Sequence, residues 1–283
     1  MSIAVVSDST ADIPSQIVEQ SGITTVPAFV RFGEEEFRDG VDITTEDFYA
    51  RLARDKNVFP TTSQPSPGDF KTVYDKLLGE HDEIVSIHIS SAVSGTYASA
   101  VAGAEQSDPS GERIKHVDSR TASMATGFIA LAAQKVIDDG GSFTDALSTA
   151  RNMVPRVQFA GTPDTLEYLK RGGRLKGAQA LMANILNIRP VLSIVDGEVE
   201  GLSKPRSHRR AMTKIVSVIV EEHVPLTNLA VLQTGSTSQA EADEVLEDLK
   251  GHVAPGGMTI TASIGPAIGA HLGTGTIGLA ASW

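Results

Sequence analysis

The sequence contains no cysteine. That excludes disulfide bridges, thiolate metal sites and cysteine nucleophiles. Aromatic residues make up only 5% of the chain, so a planar cofactor stacked between rings is not expected. There is no Gly-x-x-x-x-Gly-Lys-Ser/Thr phosphate loop, no Gly-x-Gly-x-x-Gly after the first apolar run, and no His-Glu-x-x-His. Ser91-Ala92-Val93-Ser94-Gly95 lacks the first glycine of a hydrolase elbow. Positive charge is in deficit, with a formal net charge of −11. Broad binding to nucleic acid or to anionic membranes is therefore not expected. The most apolar stretch, near Met124 to Ala133, meets Gln134 and Lys135 too early to span a bilayer. The opening Met1-Ser2-Ile3-Ala4-Val5-Val6 reads as a strand and lacks the basic start of a signal peptide. A soluble, cytoplasmic protein is expected.

The chain has 283 residues, 41% hydrophobic and 21% charged. That is enough apolar material for a real core in one large domain or two ordinary ones. Short apolar runs alternate with segments of helical period, the pattern of parallel strands and crossover helices. Strands are predicted at Ile3–Val6, Thr24–Phe32, Glu83–Ile89 and Ile114–Val117, with a turn or short hairpin over 33–40. Helix starts are predicted at Pro14, at Thr44 with Asp47, at Ser66-Pro67 with Asp69, near Ser94 or Gly95, and at Ser142. Residues 119–138 are read as one long helix rich in alanine.

The second half changes character. A short helix over Thr165–Lys170 ends at Gly172-Gly173, and a hairpin turns at Asp196-Gly197 between Arg189–Val195 and Glu198–Leu202. Helix 206–222, strand 228–232, helix 238–250, strand 258–263 and a glycine-rich tail follow. The domain boundary is placed near residue 158, giving domains 1–158 and 159–283.

Several stretches could carry chemistry. Ser90-Ser91-Ala92-Val93-Ser94-Gly95-Thr96-Tyr97 follows a strand and opens a helix. Unpaired N–H groups, the helix dipole and hydroxyl donors together suit a carboxylate or phosphate there, although Ser94 could simply cap the helix. Thr61-Thr62-Ser63-Gln64-Pro65-Ser66-Pro67 is a second hydroxyl-rich loop before a helix. Two such loops could face one another at the C-terminal edge of a parallel sheet, where open α/β folds place ligands, or could each be turn chemistry. His271 stands among small residues in Gly265–Gly275, where it could bond an anion or be a satisfied structural histidine. Asp8 and Asp12 flank Ser9-Thr10-Ala11. They could hold Mg²⁺, act as an acid/base pair, or cap the next helix, and capping is the favoured reading. Lys170–Lys176 and Lys204–Arg210 are basic knots in an acidic chain. The second opens a helix, where cations oppose the dipole, which suggests a partner surface.

Taken together, these stretches resemble the DegV family of bacterial fatty-acid-binding proteins, in order and over the whole length. Asp8–Asp12, Thr62–Ser66, Ser90–Tyr97, Tyr168–Arg174 and Gly265–Gly275 match its motifs in turn. The resemblance implies a Rossmann-like α/β N-terminal domain, an α+β C-terminal domain, and a lipid site between or beneath them. It implies a non-catalytic acyl-binding subunit of a bacterial fatty acid kinase, with no cofactor and no metal. A long-chain fatty acid would be the ligand, and a separate ATP-using subunit would phosphorylate its carboxylate. By that resemblance Thr62, Ser94 and His271 should contact the carboxylate, with Ser63 and Gly95 contributing nearby. Arg206 and Arg209 would fall where members meet the kinase subunit, and a transient contact with a membrane surface would be compatible with lipid handling.

Two other classes stay open. One is an enzyme in its own right, a serine hydrolase or phosphotransferase with Ser94, His271 and Asp8 as a triad. The other is a binding module for a different anionic metabolite, such as a sugar phosphate.

Overall fold

The computed structural model describes residues 2–55, 58–175, 177–178, 188–235 and 239–283. The first strand, β1 (Ile3–Asp8), is buried along nearly its whole length, as expected of a strand covered on both faces. It pairs in parallel with β2 (Thr24–Val26) and with β6 (Glu83–His88), which in turn pairs in parallel with β7 (Ile114–Asp118). The resulting order is β2-β1-β6-β7. Helices α1 (Ser15–Ser21), α3 (Pro67–Leu78) and α4 (Thr96–Ser107) connect these strands. Ser66 and Asp69 form a reciprocal capping box at the start of α3, and Ser142 and Asp145 do the same for α6 (Phe143–Met153).

Thr24–Phe32 is not one strand. Pro27 has no N–H and a fixed φ, and the chain breaks there into β2 and β3 (Phe29–Phe32). The latter joins a three-stranded antiparallel sheet with β4 (Glu35–Arg38) and β5 (Thr61–Ser63). The hydroxyl-rich loop thus begins as a strand, paired Val30 to Thr62. Helix α2 (Thr45–Arg54) is capped by Thr44 as expected.

A six-stranded sheet occupies the rest of the chain: β8 (Val157–Thr162), β9 (Val191–Val195), β10 (Glu198–Ser203), β11 (Asn228–Gln233), β12 (Thr259–Ser263) and β13 (Ile277–Ser282), in the order β10-β9-β8-β13-β11-β12. Only the β11–β12 pair is parallel. The hairpin turn has positive φ at both Asp196 and Gly197, the mirror-image turn whose twist suits a two-residue connection. Two of these strands were not anticipated. The tail read as merely glycine-rich contains α10 (Pro266–Leu272) and then β13, which lies inside the sheet between β8 and β11. Its Ile-Gly-Leu-Ala-Ala-Ser lacks the bulk and alternation that mark a strand. The small residues are needed because a Cβ at Gly278 would stand 2.8 Å from the Ala160 carbonyl oxygen.

Helix α5 (Met124–Asp138) packs against β1 and β6 of the parallel sheet and against β8 and β13 of the mixed one. A helix between two sheets must be apolar on all sides, which accounts for its alanines. It begins five residues later than its composition suggests, at Met124, because Ser123 takes a left-handed φ of 55°. The main core runs through it, from Val5 and Val85 by way of Phe128 and Ile129 to Phe159 and Leu232. The shorter helices are α7 (Glu167–Arg171), α8 (His208–Val216) and α9 (Gln239–Leu249). The expected helix 206–222 stops being α-helical at Val216 and continues as a π-helical turn to Glu221. No helix among the described residues is long and apolar enough to cross a membrane.

Candidate functional site

Thr62, Ser63, Ser94 and His271 all line one cavity of about 100 Å³. On this measure a water needs about 10–15 Å³, so the space is not a packing defect. The apolar wall includes Ile89, Phe159, Leu192, Ile194 and Val199. Val93, Ser94, Arg174 and Val199 also border a shallower depression of about 370 Å³, so the hydroxyl-bearing end adjoins a second opening. Gly95 lines that depression and not the cavity itself.

Thr62 comes from β5, at the edge of the small sheet, and His271 from the last turn of α10. Their side chains meet, with Thr62 Oγ1 2.9 Å from His271 Nε2. Burial, with Arg174 nearby, pushes the His271 ring down to about 4, so it is neutral near pH 7. Its Nδ1 has no hydrogen-bond partner among the described residues. Placing the ring proton on Nε2 leaves only a lone pair at Nδ1, whereas the other tautomer would strand a buried N–H there. His271 Nε2–H then donates to Thr62 Oγ1, and the Thr62 hydroxyl proton is free to point at a ligand. Gly172 packs against this ring, and a Cβ at residue 172 would overlap Nδ1.

Ser94 sits one residue before the cap of α4. Its Oγ accepts from Thr96 N–H at 3.2 Å and lies 2.9 Å from Thr96 Oγ1. Ser94 is therefore not the cap, which is Gly95 without a side-chain bond; it holds the first helical N–H from one residue further out and also lines the cavity. The Gln64 carboxamide lies over Gly95, where a Cβ would stand 2.9 Å from Gln64 Nε2. A side chain at residue 95 would have to displace that carboxamide.

Gln64 and Arg174 also line the cavity and were not among the expected headgroup contacts. Arg174 is the one arginine or lysine among the described residues of the cavity wall. Its Nε donates to the Val93 carbonyl at 3.2 Å and its Nη1 to Gly172 at 2.7 Å. The signal was present in the basic knot at 170–176, but composition cannot show which of its cations turns inward. Gly173, with φ 72°, reverses the chain and directs Arg174 to the cavity. Lys170 and Arg171 stay exposed. Lys176 lies outside the described residues. Arg206 and Arg209 are exposed at the start of α8 and do not line the cavity.

Of the two aspartates at the end of β1, Asp8 caps the 3-10 turn Ser9–Ala11 that follows it, and Asp12 has another duty. Asp8 is fully buried; it accepts from Thr10 N–H (3.1 Å), Ile89 N–H (3.2 Å) and His88 Nδ1 (2.9 Å). Asp12 does not cap α1, whose cap position is Pro14 with no side-chain bond. It bonds instead to Gly265 and Ser123. Among the described residues no cluster of His, Asp and Glu is placed to hold a metal ion.

The model of the DegV family, described as uncharacterised proteins, matches residues 2–282. The chain belongs to the DegV family. Its fold superposes with a TM-score of 0.89 on a DegV family protein from Thermus thermophilus whose structure is described as showing fatty acid binding. That protein is 32% identical, and the match covers 100% of this chain and 99% of the other. DegV of Bacillus subtilis, described as a fatty acid binding protein, superposes at 0.86 with 32% identity over 100% of both chains. A stearic-acid-binding protein from Eubacterium ventriosum gives 0.89 at 25% identity, covering 99% of this chain and 98% of the other. The expected DegV fold, a parallel-sheet α/β part followed by a part built on a mixed sheet, is the one observed.

Proposed function

We propose that this DegV protein binds one long-chain fatty acid, with its carboxylate at Thr62, Ser94, Arg174 and His271 and its tail along the apolar wall. The carrying observation is the cavity itself, with paired hydroxyl, imidazole and guanidinium groups beside a wall of aliphatic and aromatic side chains. A carboxylate leaving water needs charge-assisted hydrogen bonds. The Thr62 hydroxyl, the Ser94 hydroxyl and the Arg174 N–H groups are the donors available. The tail contributes roughly 0.8 kcal/mol per buried CH₂ before the costs of ordering are subtracted. A sugar phosphate would satisfy the same headgroup donors but would leave its hydroxyls unpaired against Ile89, Leu192 and Ile194. The fatty-acid descriptions of the Thermus, Bacillus and Eubacterium relatives support the same choice.

The protein acts as a carrier without a reaction of its own. Ser94 and His271 share no hydrogen bond, and Asp8 is bonded to His88 rather than to His271, so the triad alternative lacks its contacts. The bound carboxylate is presented to a separate ATP-using kinase subunit in the cytoplasm, with Ser63 and Gly95 beside the headgroup. Arg206, just before the Ser207 cap of α8, and Arg209, in its first turn, meet that subunit. Loading and release occur in transient contact with a membrane surface. The working units, 1–158 and 159–283, divide at the start of β8 (Val157–Thr162), the first strand of the six-stranded sheet, with the lipid between them.

Native mass spectrometry of the purified protein tests the carrier reading. One co-purified fatty acid per chain is expected, exchangeable for added palmitate. A ligand-free protein that also fails to bind palmitate or oleate overturns it. Acyl-phosphate formation from the loaded protein, ATP and a purified kinase subunit, lost in a variant with both Arg206 and Arg209 changed to Glu, tests the partner.

A further inference from the structure

Helix α10 forms one side of the headgroup site. Ala267, Ile268, His271 and Leu272 face the cavity at helical spacing. Yet α10 is short, begins Gly265-Pro266, and has no side-chain cap of its own. Its first N–H groups are satisfied from the far end of the sequence. Gly265 N–H donates to Asp12 Oδ1 at 2.9 Å, across 253 residues. Ala267 N–H donates to Asp39 Oδ2 at 3.3 Å, across 228 residues. The Tyr49 hydroxyl adds a third tie, donating to the Ile264 carbonyl at 2.9 Å.

The same two carboxylates reach further. Asp12 Oδ2 lies 2.5 Å from Ser123 Oγ, at the left-handed residue where α5 starts. Asp39 Oδ2 accepts from Ser9 Oγ at 2.8 Å, and Ser9 Oγ accepts from Ala28 N–H at 3.0 Å. Three separate chain segments are thereby pinned to one pair of carboxyl groups, and a fourth, at Ala28, is tied to them through Ser9. Each segment places a residue on the cavity wall: Thr10, Ala28, Ala122 and Ala267. Both aspartates are buried, and neither forms an ion pair among the described residues. Desolvation pushes Asp12 up to about 8 and Asp39 up to about 6. Carboxyl groups kept at such a cost to ionisation point to a geometric duty rather than a generic stabilising one.

We propose that Asp12 and Asp39 are positioning residues for the headgroup site: by holding the start of α10 they place His271 against Thr62. This inference rests on the carrier reading only for its binding readout. Its other readout, the state of the His271 ring, needs no ligand.

The test compares Asp12→Gly and Asp39→Ala with Asp12→Asn and Asp39→Asn. Glycine suits the left-handed backbone of residue 12, φ 51°, so the change removes the side chain without adding strain. Asparagine keeps the carbonyl acceptor and is also at home in that conformation. Ile215→Ala, in the core cluster on the other side of the mixed sheet, is the control for general destabilisation. Palmitate affinity should fall about tenfold or more in the truncations, the effect of losing buried caps, and stay within about threefold of wild type in the asparagine variants. The His271 imidazole signals in ¹⁵N NMR of the unliganded protein, assigned with His271→Gln, should move in the truncations and not in Ile215→Ala. Ser9→Ala and Ser123→Ala each remove one partner of a carboxyl group and form a milder arm, with smaller losses and the same movement of the ring. That arm decides the matter if the truncations do not fold. Unmoved His271 signals, or a loss of affinity no greater than in Ile215→Ala, overturn the inference. If wild-type protein binds no palmitate, the carrier reading fails while the NMR comparison still judges this one.

Discussion

Replacing Thr62 by valine removes one hydroxyl and keeps the branched shape of the side chain. Two hydrogen bonds are at stake. The first is internal, from His271 Nε2–H to Thr62 Oγ1 at 2.9 Å. Its loss leaves a buried N–H unpaired, which costs about 1–3 kcal/mol of folding stability. In a chain of this length that is a fall in Tm of several degrees, at about 2–4 °C per kcal/mol. The second is the bond from the Thr62 hydroxyl to the ligand. A hydrogen bond to a charged acceptor contributes about 1.5–3 kcal/mol, so palmitate should bind roughly 10- to 150-fold more weakly. Calorimetric titration with palmitate and with hexadecanol separates headgroup from tail. The alcohol cannot form the charge-assisted bond, so its affinity should fall by only about fivefold, the effect of one neutral bond. Thr62→Ser should restore most of the acid's affinity. Equal losses for acid and alcohol, or unchanged palmitate binding in a folded Thr62→Val protein, refute the placement of the carboxylate at Thr62.

Gly172→Ala should abolish palmitate binding at micromolar ligand with little change in fold, because the new Cβ overlaps His271 Nδ1 and the ring must leave Thr62; wild-type affinity in this variant shows that the ring's position is not needed. Stability should decline from pH 6 to pH 8 through Asp12, which in the folded protein holds its proton to about pH 8 but when unfolded loses it near 3.8. A raised folded value means that the native state binds the extra proton, so stability is lost as pH rises across that interval, by about 2 kcal/mol between pH 6 and 8. Asp12→Asn should flatten this slope in urea titrations, and an unchanged slope assigns it to another group. On the acid side His271, near 4 when folded and 6.5 when free, works in the opposite direction. The unfolded ring protonates first, so stability falls as pH drops from 6.5 towards 4, and His271→Gln should reduce that fall.

Local rules read from neighbouring residues held where the interacting groups are close in sequence. The capping boxes at Ser66 and Ser142, the cap at Thr44 and the Asp196-Gly197 hairpin all form as their residue types dictate. The parallel strands at Ile3, Glu83 and Ile114 also form, because a buried parallel strand is a continuous apolar run. The reading failed where a distant neighbour decides. β13 is made of small residues because it is wedged between β8 and β11, and no local pattern announces that. Pro27 ends one strand and lets the next join a different sheet.

The sequence by itself determined the chemistry available to the site: hydroxyls at residues 62 and 94, an imidazole at 271, no thiol and few rings. Only the tertiary structure decided which of these groups meet. Thr62 and His271 are 209 residues apart and touch, while Asp12, which looked like a cap for the adjacent helix, bonds instead to Gly265. The reason is physical. Propensity and capping act over three or four residues, whereas desolvating a polar group forces it to find a partner wherever the packed chain supplies one.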